Sequence, residues 1–350
     1  IRELLAVPFG STPVVTIKNY TTKEYKLSEY GIEKVYPNQP SVRKDINPED
    51  VEFVYNAASY NARSYNERPI AEVEVLGTMR GIQIGTLQVN PVSYNPSNNT
   101  IRVYNDIEVE VTFNDADIQL TENTLINTFS PYFSIVYQQL FNNRAIQDVY
   151  DDHPDLWMSP VKMLVIANRM FEESMQPWIE WKTMKGIYLD VNYTDEIGTS
   201  SADIKQFIKD KYDEGVAAGQ APTFVVIFGD KDQVAPSTNS ASETHMVSDL
   251  YYGTVDDDYF PDMYYSRMSA ETTAQMDAII NKILVYEQYT MPDPSYLNNV
   301  LLIAGADSYW NPLVAQPTIN YATTYYFNEE HGFDNVYAYL NNYTGCYEHL

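Results

Sequence analysis

Residues 224–307 place carboxylates where chemistry is commonly carried out. Two apolar runs, 223–228 and 300–304, each lead within a few residues to an Asp, Asp230 and Asp307. Between them lies the acidic, aromatic stretch Asp249-Leu-Tyr-Tyr-Gly-Thr-Val-Asp-Asp-Asp-Tyr-Phe-Pro-Asp262. Open α/β sheets keep their working sites at the carboxyl ends of buried strands, so part of an enzyme site is the leading expectation. Asp256, Asp258, the Phe260 carbonyl and Asp262 present oxygens at every second position, as a loop wrapped on a hard cation does. Calcium is the expected ion, with Asp230 as a further ligand. The loop lacks the Gly and the terminal Glu of an EF-hand, and a solvated acidic loop is the other reading. A carboxylate at Asp307 can orient an imidazole and stabilise its cation. It can equally cap a turn or a helix.

Other candidate groups carry less. Cys346, the one cysteine, has His331 and His349 as candidate bases, but a small incidental thiol is the commoner role. The four histidines offer no finger or HExxH spacing for zinc. No Gly-rich phosphate loop is present. With 22 Lys plus Arg against 48 Asp plus Glu the net charge is −26, which argues against nucleic acid and for solubility or cation binding. No apolar run is long enough to cross a bilayer, so no transmembrane segment is expected. The start, Ile1-Arg-Glu-Leu-Leu5, has no signal-peptide profile.

The elements that must position these groups change in character near residue 145. Before it, β-branched and aromatic runs alternate with polar positions at 13–18, 51–55, 71–75, 82–89 and 101–113, with turn signals between. This predicts an all-β, sandwich-like domain over 1–144. A helical pattern over 124–141 and an acidic connector at 148–155 follow, so the boundary, and a protease nick, are expected near the exposed Arg144. Over 145–350, strands at 161–167, 187–191, 223–228, 300–304 and 335–340 alternate with helices at 171–185, 201–214, 271–289 and 316–331. The predicted fold class is α/β, a parallel sheet with flanking helices. The last strand lies near the end of the chain, so a further segment, covalent or not, is expected to complete the sheet.

Several blocks occur in order in a way that resembles one family. Tyr188-Leu-Asp-Val-Asn-Tyr-Thr-Asp195, Asp249-Leu-Tyr-Tyr252, Asp258-Tyr-Phe-Pro-Asp-Met-Tyr264, Arg267-Met-Ser-Ala270, Val300-Leu-Leu-Ile-Ala-Gly-Ala-Asp307, Gln316-Pro-Thr-Ile319, Glu330-His-Gly332 and Tyr343-Thr-Gly-Cys-Tyr347 are similar to the gingipain family of cysteine peptidases, its lysine-specific branch above all. Residues 148–350 carry this likeness. Residues 1–144 resemble the family's propeptide more loosely, through Asn90-Pro-Val-Ser-Tyr-Asn-Pro96 and Arg102-Val-Tyr104.

The resemblance implies a caspase-like catalytic domain, incomplete in this chain, behind an inhibitory β-sandwich. It implies the zymogen portion of a secreted or cell-surface cysteine endopeptidase, a virulence factor acting on protein or peptide substrates and cleaving after a basic residue, Lys in preference to Arg. The family's catalytic His-Gly and Cys correspond to neither His331 nor Cys346, so they are expected on a further catalytic segment and this chain alone is expected to be inactive. By resemblance Asp307 orients that His and Trp310 lines the substrate cleft. Asp230, Asp256, Asp258, Phe260 and Asp262 hold structural calcium. Arg144 marks the activation cleavage, and Arg43 and Lys44 are candidates for the inhibitory propeptide loop; a solvated pair is the plainer reading of the last two. A non-catalytic extracellular calcium-binding interaction module is the competing class.

Overall fold

A computed structural model of the chain describes residues 1–36, 38–41, 50–65, 68–158, 160–238, 247–256, 258–305 and 309–340. By packing the chain divides into two units. One comprises Ile1–Glu33 with Ala62–Leu284, the other Lys34–Asn61 with Val285–Leu350. The first unit contains both the N-terminal sheets and the following α/β layers.

The N-terminal strands are β1 (Arg2–Val7), β2 (Thr12–Lys26), β3 (Ala71–Met79), β4 (Ile82–Val89), β5 (Val92–Asn95) and β6 (Thr100–Asn114). They form two antiparallel sheets of three strands, ordered β1-β4-β3 and β2-β6-β5. Alternation explains the long pair. Val15 and Ile17 of β2, and Val109, Val111 and Phe113 of β6, turn inward while their neighbours face solvent. β1 is absent from the predicted strands because its first half is charged and exposed; only Leu5 and Val7 are buried. The predicted strand at 51–55 does not form, and its residues lie in the second unit. There the Gln39 side-chain amide donates to the Val54 carbonyl (3.1 Å) and accepts from the Val54 N–H (2.8 Å), in place of a strand partner.

The helical pattern predicted over 124–141 is broken. A helix runs over Ile118–Asn127, then Pro131 forces a new start, giving short turns at Pro131–Phe133 and Ser134–Tyr137.

The α/β part of this unit holds β7 (Lys162–Ala167), β8 (Tyr188–Tyr193), β9 (Phe224–Phe228), the two-residue strands β10 (Ser237–Thr238) and β11 (Val247–Ser248), and β12 (Tyr264–Met268). β12, β9, β7 and β8 form a parallel sheet in that order. Its central strands are buried on both faces. Leu164, Ile166, Val225 and Ile227 pack with Ile204, Ile208 and Tyr212 of the helix Ser201–Ala217. On the opposite face Met163, Val165, Val226 and Phe228 pack with Met175 and Trp178 of the helix Glu172–Met184, and with Met276 and Ile280 of Thr273–Glu287. The continuous apolar runs of β7 and β9 thus reflect helices on both sides. β12, reading Tyr-Tyr-Ser-Arg-Met, escaped that pattern because it is an outer strand with three exposed residues.

In the second unit β13 (Asn299–Ile303) pairs in parallel with β14 (Asn335–Tyr339), forming a ladder of two strands. The helix predicted over 316–331 ends at Tyr325, and a short turn at Glu329–His331 follows.

Candidate functional site

The carboxyl end of the parallel sheet is built around Arg267, on β12. Its guanidinium meets the Asp249 carboxylate with two bonds, Nε to Oδ2 at 2.8 Å and Nη2 to Oδ1 at 2.7 Å. Nη1 donates to the carbonyls of Gly229 (2.8 Å) and Val234 (2.9 Å), just past the end of β9. The planar fork of Arg suits this arrangement, which ties the exit of β9 to the start of the acidic stretch. Beside it Asp230 accepts from the Ser269 hydroxyl at 2.8 Å. That bond, with the backbone N–H of Lys231, holds the Asp230 carboxyl below its usual range. Asp230, Ser269, Glu271, Gln275 and Lys282 line an open groove here. At the carboxyl ends of β7 and β8, Arg169 pairs with Asp195 (2.6 Å) and Glu196 and lies over the Tyr193 ring.

The acidic loop lies at the other end of the sheet, ahead of β12. Burial, then the Asp256 charge, pushes the Asp262 carboxyl up to about 7. Burial, then Asp258, pushes Asp256 up to about 6. Burial disfavours the charged form, and a neighbouring carboxylate disfavours it further. The carboxylates of Asp258 and Asp262 are engaged by backbone donors. Asp262 Oδ2 accepts from Val255 N–H (2.9 Å) and Oδ1 from Arg80 N–H (2.7 Å). Asp258 Oδ1 accepts from Phe260 N–H (2.7 Å) and Oδ2 from Thr78 N–H (2.6 Å).

Among the described residues no three His, Cys, Asp or Glu side chains gather closely enough to hold a metal ion. Of the expected calcium ligands, Asp256, Asp258, Phe260 and Asp262 lie along the acidic loop ahead of β12, and Asp230 lies past the end of β9, where it pairs with Ser269.

The residue that sequence reasoning missed is Arg80, which is completely buried. It sits in the two-residue turn between β3 and β4, and its guanidinium donates to the carbonyls of Pro222 (2.5 Å), Asp262 (3.0 Å) and Ala221 (3.0 Å) and to the Thr223 hydroxyl (3.3 Å). The Phe133 ring lies 5.0 Å from it. Its Nε has no acceptor among the described residues. A sequence signal was present. A two-residue hairpin turn of this kind needs positive φ at both positions and favours Asn-Gly, yet here Arg80 (φ 43°) precedes Gly81 (φ 76°).

Of the other expected residues, Asp307, Arg43, Lys44, Cys346 and His349 lie outside the described residues. Trp310 is half-buried in the second unit, edge-on to Tyr309 with ring centroids 5.1 Å apart. His331 is an exposed turn residue whose Nδ1 lies 2.9 Å from the Asn328 side-chain oxygen. Arg144 has an exposed side chain paired with Asp148, and it opens the helix Arg144–Asp151, which buries Ile146 and Tyr150. A protease that reads extended peptide must unwind that first turn to cut there.

The first unit thus places a parallel α/β sheet with helices on both faces after two antiparallel sheets. Residues 157–348 match the family model of peptidase family C25, and residues 1–136 match that of the C25 propeptide. The chain belongs to peptidase family C25 and carries its propeptide region. Lys-gingipain of Porphyromonas gingivalis strain ATCC 33277 is 51% identical to it over 353 aligned residues, which cover 100% of this chain and 20% of that protein. Gingipain R2 of Porphyromonas gingivalis strain W83 is 24% identical over 309 residues, covering 86% of this chain and 40% of that protein. A solved structure described as a protease is 54% identical, with TM-score 0.52, over 58% of this chain and 45% of that one. The chain thus spans about a fifth of the length of its Lys-gingipain relatives.

Proposed function

We propose that this chain is the latent front part of a secreted cysteine endopeptidase that cleaves after basic residues, Lys in preference to Arg. The observation that carries this is the 51% identity to Lys-gingipain along the whole chain, through propeptide and peptidase regions in their proper order. A further segment supplies the Cys and the His. The Cys thiolate attacks the peptide carbonyl, the His moves the proton to the leaving amine, and backbone amides receive the oxyanion. Asp307 holds the His in its working tautomer, and Trp310 lines the cleft. In the latent state Arg43 or Lys44 occupies the pocket meant for the substrate's basic side chain, and a cut near Arg144 starts release.

The test joins the chain to the segment that follows it in its gene and assays peptides differing only at the residue before the scissile bond. Lys peptides are expected to exceed Arg peptides in kcat/KM by about 10- to 100-fold, the range set by modest differences in pocket fit. Equal rates, or a preference for Arg, would remove the specificity; no cleavage of either would remove the peptidase reading.

Calcium is part of the proposal and has its own check. An ion that binds only the folded chain adds about 2.7 kcal/mol at a hundredfold excess over Kd, or several degrees in Tm for a protein of this size. Melting in calcium chloride and in chelator should differ by that amount. Coincident curves would strike calcium from the account.

A further inference from the structure

We infer that Arg80 is the anchor by which the N-terminal domain holds the peptidase region, at a docking surface on the amino ends of β9 and β12. The surface consists of the carbonyls of Ala221 and Pro222, the Thr223 hydroxyl, and Asp258 and Asp262 of the acidic loop. The occupant is the turn of this chain's own β3–β4 hairpin. The inference rests on the propeptide reading of the N-terminal strands and adds an attachment point to it.

Position makes the argument. Residues 221–223 immediately precede β9, and Asp262 lies two residues before β12, so Arg80 reaches the amino ends of two neighbouring parallel strands. Sites in such sheets form at the carboxyl ends. A five-residue strand spans about 16 Å, which puts Arg80 a full strand length from the groove beside Asp230 and Ser269. Arg80 therefore cannot act by filling that groove. What it can do is bind.

The local sequence is adapted to binding rather than to turning. A non-Gly residue at positive φ costs about 1–2 kcal/mol, and Asn would fit the turn better. Arg stands there with its side chain fully buried and its peptide atoms engaged on both sides. Its N–H donates to Asp262, while its carbonyl accepts from the Thr128 hydroxyl (3.0 Å) and the Tyr137 hydroxyl (3.3 Å). Close packing continues along β3. A side chain at Gly77 would bring its Cβ within 2.4 Å of the Asp258 carboxylate and 2.7 Å of the Phe260 ring, so both would have to move to admit one. Flanking contacts add to the seam, with the Thr223 hydroxyl donating to Ser130 (3.0 Å) and the Tyr264 hydroxyl to the Tyr132 carbonyl (2.9 Å).

Cutting the connector leaves the N-terminal piece bound until this anchor is withdrawn. When the hairpin leaves, three carbonyls lose the Arg80 guanidinium, and the Asp258 and Asp262 carboxylates each lose one of their two backbone donors.

The test uses the full chain with a site-specific protease recognition sequence inserted after the exposed Asp152, at the end of the helix Arg144–Asp151. After nicking, the two pieces are run by size-exclusion chromatography over a dilution series, with no activity measured, so that failure of the peptidase reading leaves this result readable. The native-sequence pieces are expected to co-elute. Arg80→Met, which keeps the stem but removes the fork, is expected to weaken their affinity about 30-fold or more, the scale of an interface hot spot. Pieces of the Arg80→Met chain that co-elute to the same dilution as the native ones overturn the inference, as do native pieces that separate on nicking. Should circular dichroism show that Arg80→Met does not fold before nicking, Thr223→Val instead removes the hydroxyl that accepts from Arg80 and donates to Ser130. It is expected to weaken binding about fivefold or more, within the scale of two hydrogen bonds, and unchanged affinity overturns the anchor.

Discussion

Replacing Arg267 with Met is expected to lower the free energy of unfolding by about 3–5 kcal/mol, the range seen when one member of a buried ion pair is removed. The Arg267 and Asp249 side chains are only 12% and 18% exposed, so solvent screens them little. Without the guanidinium, Asp249 keeps its charge in a poorly hydrated place and the carbonyls of Gly229 and Val234 lose their donor. These groups join β12, the exit of β9 and the acidic stretch, so the loss falls on the whole carboxyl end of the sheet. For a protein of this size it corresponds to about 6–20 °C in the melting midpoint. Arg267→Met with Asp249→Leu should recover part of the loss, because the stranded charge is then gone as well. A single variant that melts within a degree or two of the native chain would show that the pair is not structural.

In the completed peptidase, Asp307→Asn is expected to reduce kcat by about 1,000- to 10,000-fold while leaving KM within a few-fold. The expectation follows from the proposed role, since an amide holds the imidazole in place but favours the wrong tautomer and does not stabilise its cation. A substrate-binding residue would instead move KM. The pH profile distinguishes the two further, because the apparent pKa of the His should fall once the neighbouring negative charge is removed. A kcat within tenfold of the native value would assign Asp307 to a turn or cap.

Parts of this fold were legible from local pattern. β7 and β9 are continuous apolar runs because helices cover both of their faces, and β2 and β6 alternate because only one of theirs is covered. The helix over 201–217 was read as far as residue 214, and in the structure the Ser200 side chain caps its start by accepting from the Asp203 N–H. Where burial was partial the pattern failed. β12 has polar, exposed positions as an outer strand, β1 hides two buried residues behind a charged start, and residues 51–55 have strand composition but no strand partner. Periodicity records how an element is covered, and it is silent where coverage is slight or where a side chain such as Gln39 replaces a neighbouring strand.

The sequence alone determined the class of each half, the family likeness and the acidic character of the loop ahead of β12. Those properties are carried by composition and by repeats of two to four residues, which any chain displays whether folded or not. Only the tertiary structure decided what the acidic loop does with its oxygens, and that a lone Arg in a hairpin turn is the most completely buried cation of the first unit. The Arg80 N–H and the Asp262 carboxylate that accepts from it stand 182 residues apart. A bond over that span depends on two separately formed sheets meeting in one orientation, and no spacing within either segment encodes it.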